Sequence, residues 1–122
     1  MIGFHSIFDF YDCDPRTLDS RPGLEAILRE AAEVGGLTVK SSAFYDFQPG
    51  GISGTLLLAE SHLCIHTWPE ANYAAVDCFT CKKDTDMDAV QSVLTRRLGA
   101  GRCDRKDFRR GTDVRGASPQ EI

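Results

Sequence analysis

The chain has 122 residues, 42% of them apolar and 26% charged, the make-up of one globular domain with a real core. Its 14 basic and 18 acidic side chains leave a net charge of −4, and no basic stripe runs along the body, which argues against nucleic acid as the main partner. No apolar run has the length of a membrane span, and the first residues lack the basic-then-apolar pattern of a signal peptide, so no membrane partner is expected and the cytoplasm is the expected compartment.

Phe4–Tyr11 alternates and is rich in aromatics, which predicts a strand. Asp12, Asp14, Pro15, Ser20 and Pro22 mark a loop over 12–22. Leu24, Ile27, Leu28 and Ala31 recur at helical spacing, and Gly35-Gly36 closes a helix over Gly23–Val34. Leu37–Phe47 reads as a second strand, closed by Pro49-Gly50-Gly51. Ile52–Ala59 and His62–Trp68 are strand-like, and Tyr73–Cys81 is a further strand. Asp84-Thr85-Asp86 offers a cap, and Met87, Val90, Val93, Leu94 and Leu98 make the apolar stripe of a second helix that ends at Gly99. Gly101–Phe108 is a last strand, while residues 109–122 hold almost nothing to bury and are expected to fray. The order β-α-β-β-β-α-β predicts an α/β (α+β) fold. It is a two-layer sandwich, with one mainly antiparallel sheet and two helices on one face. The other sheet face is then open, and a dimer partner is the economical cover.

The densest chemistry lies at residues 60–70, Glu-Ser-His-Leu-Cys-Ile-His-Thr-Trp-Pro-Glu. A hydroxyl, two imidazoles, a thiol, an indole and two carboxylates follow a very apolar run, and buried polar groups need partners. His62 and His66 stand four apart, as in helical zinc sites, but this stretch reads as strand and the zincin glutamate is missing, so zinc is a distant reading and His62 is taken as structural. Cys78 and Cys81 form a Cys-x-x-Cys at the end of a strand. Residues three apart there face opposite ways, so Cys78 reads as a small core residue. Cys81, beside Lys82 and Lys83, is the better reactive thiol. An odd total of five cysteines fits free thiols in a reducing compartment. Trp68 and Phe47 both sit at strand exits, where stacking on a planar ligand competes with plain packing. Ser61 has no Gly-x-Ser-x-Gly elbow, which argues against hydrolysis. The chemistry left to it is attack on its own backbone: the hydroxyl adds to the Glu60 carbonyl, an ester forms, and elimination leaves a dehydroalanine that hydrolyses to a pyruvoyl group. This needs oxyanion donors, a base and a strained peptide, and Ser53 and His66 are polar groups on neighbouring segments that can serve.

At these residues the chain resembles the prokaryotic S-adenosylmethionine decarboxylase family of pyruvoyl enzymes in spermidine biosynthesis. The likeness runs from about Gly3 to Gly111. It is carried by Asp9-Phe-Tyr-Asp-Cys-Asp14, Gly51-Ile-Ser-Gly54, Ala59–Glu70 and Tyr73-Ala-Ala-Val-Asp-Cys-Phe-Thr-Cys81. The resemblance implies one domain over 1–111 with a flexible tail at 112–122, cut into 1–60 and 61–122. It implies cleavage at Glu60-Ser61, a covalent pyruvoyl group from Ser61, and neither pyridoxal phosphate nor a metal. Ser53 and His66 match the processing residues and Cys81 the proton donor. Phe47 and Trp68 match the aromatics around the adenine, and Glu70 matches the ribose-binding carboxylate. The substrate α-amine would condense with the pyruvoyl carbonyl as a Schiff base, which takes the electrons left when carbon dioxide departs. A homodimer with composite sites is implied as well. Three positions depart from the pattern: Tyr45 stands where a His is common, Asp12 where a Gly is usual, and Cys64 where a small hydroxyl residue is usual.

Because Ser61 and His66 are five apart, a straight strand puts them on opposite faces, so a bend or bulge is expected near His62–Leu63. The competing reading is a pyruvoyl decarboxylase of a free amino acid, ornithine or arginine, on the same scaffold. A third is an uncleaved binding or regulatory protein. Phe47, Trp68 and Glu70 favour the nucleoside substrate.

Overall fold

A computed structural model describes residues 1–116. Residues 117–122, the end of the 109–122 segment expected to fray, lie outside the described residues. The strands are β1 (Gly3–Tyr11), β2 (Val39–Asp46), β3 (Ile52–Leu58), β4 (Ser61–Trp68), β5 (Tyr73–Thr80) and β6 (Arg102–Arg110). They form one sheet in the order β2-β3-β4-β5-β1-β6, every neighbouring pair antiparallel. The helices are α1 (Pro15–Leu18), α2 (Arg21–Val34) and α3 (Met87–Arg97).

Period-two alternation decides the two faces. Phe8 and Phe10 of β1, Leu56 and Leu58 of β3, Leu63 and Ile65 of β4, and Val76 and Cys78 of β5 are buried. They form one core with Leu24, Ile27 and Leu28 of α2 and Val90 and Leu94 of α3. The opposite face carries Ile7, Leu57, Trp68 and Phe108, all exposed in the single chain. The two-layer sandwich with helices on one side is therefore the architecture found, and its second face is open.

Several expectations need correction. The loop over 12–22 contains α1, capped by Asp14, whose carboxylate accepts from the Arg16 amide, with Pro15 in its first turn. Helix α2 begins at Arg21 rather than Gly23, because Ser20 caps it by accepting from the Gly23 amide at 3.2 Å. Ser20 and Pro22 are thus helix-start signals and not loop markers. Strand β2 starts at Val39, with a register shift before Ser41, and Leu37 is buried in the turn ahead of it. Strand β6 continues to Arg110, since Gly3 and Phe4 of β1 still offer ladder partners to Arg110 and Arg109. A ladder needs backbone groups rather than apolar side chains, which is why polar 109–110 does not fray. The bend expected near His62–Leu63 is absent: β4 pairs residue by residue with β3 and β5 from Ser61 onward.

Candidate functional site

At the far end of β3 and β4, Ser53 and His66 face each other across the ladder, and Ser53 Oγ lies 2.7 Å from His66 Nδ1. The adjacent loop 47–51 closes with the Phe47 amide donating to the Gly51 carbonyl at 2.8 Å. Gly51 has φ 97°, and a Cβ there would stand 2.9 Å from the Thr67 carbonyl, so only glycine fits. Buried Thr67 fastens this loop to α1. Its hydroxyl accepts from the Ile52 amide at 2.9 Å and donates to the Leu18 carbonyl at 2.8 Å. Phe47, Ser53, His66, Trp68 and Glu70 line one cavity of about 390 Å³. Phe47 and Trp68 are 49% and 45% exposed, so each presents ring surface to that cavity, and Trp68 leans on Tyr73 with centroids 5.5 Å apart. Glu70 sits in the single 3₁₀ turn Pro69–Ala71 that follows β4.

The near end of β4 holds the second group. Ser61 opens the strand with φ 146°, a region that a side chain with a Cβ rarely adopts. The preceding carbonyl, that of Glu60, accepts from the Cys81 amide at 2.9 Å. The Glu60 side chain is wholly buried. Its Oε1 accepts from the Thr38 amide at 2.9 Å, and its Oε2 has no partner among the described residues. Next to it, the Ala59 amide donates to the Thr38 carbonyl at 2.9 Å. The Glu60-Ser61 peptide is thus pinned by both backbone and side chain. Cys81 follows Thr80, the ladder partner of Ser61, and is itself buried.

One chain therefore collects Glu60, Ser61 and Cys81 at one end of β4 and Ser53, His66, Phe47, Trp68 and Glu70 at the other. Ser61 and His66 stand five steps apart along the strand, roughly 17 Å at the usual rise per residue. No bulge closes that distance within the chain.

Three contacts were beyond reading from the residues alone. They are the Thr38 amide on Glu60, the Cys81 amide on the Glu60 carbonyl, and a chain of polar groups on the open face. In the last, Asp77 Oδ2 accepts from His62 Nε2 at 2.7 Å and from His5 Nε2 at 2.9 Å. Burial pushes the Asp77 carboxyl up, but the hydrogen bonds from His62 and then His5 outweigh it and hold it below its ordinary range. These three side chains also have ligand atoms close enough for an ion. However, Arg110 Nη1 lies 3.0 Å from His5 Nδ1 and can only donate, so His5 carries its proton on Nε2 and presents an N–H, not a lone pair, to the carboxylate. His62 is accordingly tied into a network, as a structural histidine should be. Cys78 lies fully buried on the helix side, its thiol pushed up to about 12 mainly by burial, which suits a core residue. All five cysteines are free.

Known proteins resemble this chain in sequence and in fold. A family described as S-adenosylmethionine decarboxylase matches residues 4–111. The S-adenosylmethionine decarboxylase proenzyme of Parasynechococcus marenigrum is 45% identical over 112 residues, covering 92% of this chain and 88% of that protein. The proenzyme of the same name from Thermosipho melanesiensis is 46% identical over 101 residues, 83% of this chain and 78% of its own. The crystal structure of the adenosylmethionine decarboxylase from Aquifex aeolicus superposes with a TM-score of 0.85 at 35% identity, covering 98% of each chain. These relatives lend no support to the ornithine or arginine alternative.

Proposed function

Because the chain belongs to the S-adenosylmethionine decarboxylase family, we propose that it matures by cutting itself between Glu60 and Ser61 and acts through a pyruvoyl group left at residue 61. Decarboxylation of S-adenosylmethionine is the activity of the family; the route to it is read from one peptide bond. The Glu60 carbonyl already accepts a hydrogen bond from the Cys81 amide, and Ser61 is held at φ 146°. A donor aimed at that oxygen favours negative charge there, as in an oxyanion hole. The Ser61 hydroxyl adds to the carbonyl carbon, the carbon–nitrogen bond breaks, and the nitrogen takes the hydroxyl proton, leaving an ester. Removal of the Ser61 Cα proton then breaks the Cβ–oxygen bond. Glu60 leaves as a carboxylate, and water displaces the residue-61 nitrogen as ammonia. A pyruvoyl group fits this position, because its α-carbon is planar and the strain that a tetrahedral residue bears at φ 146° vanishes.

Once formed, that carbonyl supplies the electron sink a decarboxylation needs. Phe47 and Trp68 flank the adenine, Glu70 holds the ribose hydroxyls, and the Cys81 thiol returns a proton to the α-carbon. Ser53 orients His66, which serves as the base in processing.

The separation of Ser61 from His66 supports a homodimer in which each site takes Ser61, Glu60 and Cys81 from one copy and Ser53, His66, Phe47, Trp68 and Glu70 from the other. The open sheet face is the surface available for that pairing. Among the described residues no helix is long and apolar enough to cross a membrane. Five free cysteines suit a reducing compartment, and we assign the protein to the cytoplasm.

Intact-mass measurement should find fragments 1–60 and 61–122, the second carrying a pyruvoyl group. Ser61→Ala should remain one chain. Co-expression decides between composite and single-chain sites. A His66→Ala chain alone should stay uncut, yet be cut when paired with Ser61→Ala, because only the mixed dimer joins Ser61 to His66. A His66→Ala chain that stays whole in that mixture would rule out the shared site.

A further inference from the structure

The proposed cut leaves an unusual strand. Strand β4 would begin at residue 61, whose nitrogen is lost as ammonia, so His62 is the first residue that keeps a backbone N–H. Chain ends fray unless something ties them down. Among the described residues the His62 side chain is placed to tie this end, and it is held by Asp77.

Asp77 lies on β5, and its partner His5 lies on β1, the next strand over. Arg110 on β6 extends the line to the sheet edge through His5 Nδ1. Four adjacent strands are thus linked side to side by Arg110, His5, Asp77 and His62. Phe79 packs inside this line, stacked on His5 with centroids 5.3 Å apart and edge-on to His62 at 6.1 Å. Gly3 makes room for it, since a Cβ there would stand 2.2 Å from the Phe79 ring. Nothing in the cleavage or decarboxylation steps described above uses any of these side chains.

We propose that the Arg110–His5–Asp77–His62 line is a positioning device that holds the new terminus of the 61–122 fragment in register after the cut, and so holds the residue-61 carbonyl in place for the substrate. This rests on the Glu60-Ser61 cleavage proposed above. Before the cut, Glu60 anchors the same residues covalently, with its side chain on Thr38. After it, the His62 side chain takes over that role. These residues act through the terminus rather than on the substrate, so they are positioning residues.

The test is Asp77→Ala, with Asp77→Asn as the conservative variant, since an amide oxygen can still accept from His62. Both chains should still cut, as judged by intact mass. In the cut Asp77→Ala protein, amides of residues 62–64 should exchange with solvent about tenfold faster than in the cut wild type, the scale of one lost hydrogen bond. In the uncut Ser61→Ala background the same substitution should change their exchange little. The kcat for S-adenosylmethionine should fall with KM nearly unchanged, and Asp77→Asn should restore part of both readouts. Equal exchange in the two cut proteins would overturn the proposal, and so would an equal increase in the uncut background. Failure of Asp77→Asn to cut would place the line in cleavage itself and overturn it as well. A wild-type chain that never cuts would sink the cleavage reading, and this inference with it.

Discussion

Trp68 offers the sharpest test of the substrate assignment. The residue is 45% exposed, its ring leans on Tyr73, and it lines the 390 Å³ cavity with Phe47 and Glu70. An aromatic stacked on a nucleic-acid base contributes roughly 1–3 kcal/mol. At about 1.4 kcal/mol per decade that is about 5- to 140-fold in affinity. Part of the ring is already engaged by Tyr73, so the lower half of that range applies, and Trp68→Ala should raise KM about tenfold. The adenine is remote from the reacting carbon and is gripped alike before and during reaction, so kcat should change little. Folding should suffer less than the roughly 3–5 kcal/mol typical of a buried aromatic truncation, because nearly half the ring faces solvent. The assay is steady-state decarboxylation of S-adenosylmethionine by protein whose cleavage is confirmed by intact mass, with Trp68→Phe as the partial rescue. A fully cut Trp68→Ala protein with unchanged kcat/KM would refute the stacking role. Efficient use of ornithine or arginine by the wild type, with none of S-adenosylmethionine, would refute the nucleoside pocket altogether.

Cys81→Ala keeps the backbone amide on the Glu60 carbonyl, so much of the cleavage should survive while turnover drops about 10²–10⁴-fold, the usual range for a lost general acid; single-turnover kinetics on the cut protein checks this. Glu60→Ala leaves the Thr38 amide without its side-chain acceptor, at a cost of about 1–3 kcal/mol, and loosens the scissile peptide. Its cleavage, followed by mass over time, should be slower than that of the wild type. Burial raises the Cys13 and Cys78 thiols from 9.0 to about 11 and about 12, so the folded state favours their protonated forms. Their stabilisation is therefore complete below pH 9 and is lost as pH climbs towards the folded values, by at most about 1.4 kcal/mol per unit per thiol. Urea unfolding of uncut Ser61→Ala between pH 8 and 11 should show that decline, and adding Cys78→Ala should flatten it.

How much of this was written in the sequence depends on the range of each interaction. Strands β1 and β5 alternate cleanly, and α3 carries its cap and its apolar stripe, so all three could be read from neighbouring residues. Helix α1 was hidden because Asp14-Pro15 serves a turn and a helix start equally well. Ser61 and His66 stood out within the unusual segment 60–70, and Ser53 and Cys81 were named as residue types on neighbouring segments. Their supports were not, because the Thr38 amide is 22 residues from Glu60 and His5 is 72 from Asp77. Only strand register brings such groups together, and register is a property of the folded sheet. The expected bulge failed for a related reason. It was introduced to unite Ser61 and His66 within one chain, whereas the ladder runs straight and keeps them apart there.

The strand order has a consequence for a chain that cuts itself at residue 60. The first piece would hold β1, β2 and β3, and the second β4, β5 and β6. In the sheet these do not lie side by side as two blocks: β1 is threaded between β5 and β6, while β3 borders β4. Three of the five ladders would join one piece to the other, and the first piece alone would lose the neighbours on both sides of β1. Such a nick would fall in a hairpin turn and sever no ladder, so the cut protein would hold its shape through interleaving rather than covalent continuity. Unfolding, however, would release two polypeptides. Refolding that is unimolecular for the uncut chain would become a concentration-dependent search for a partner, and a cut protein would persist chiefly through the slowness of its unfolding.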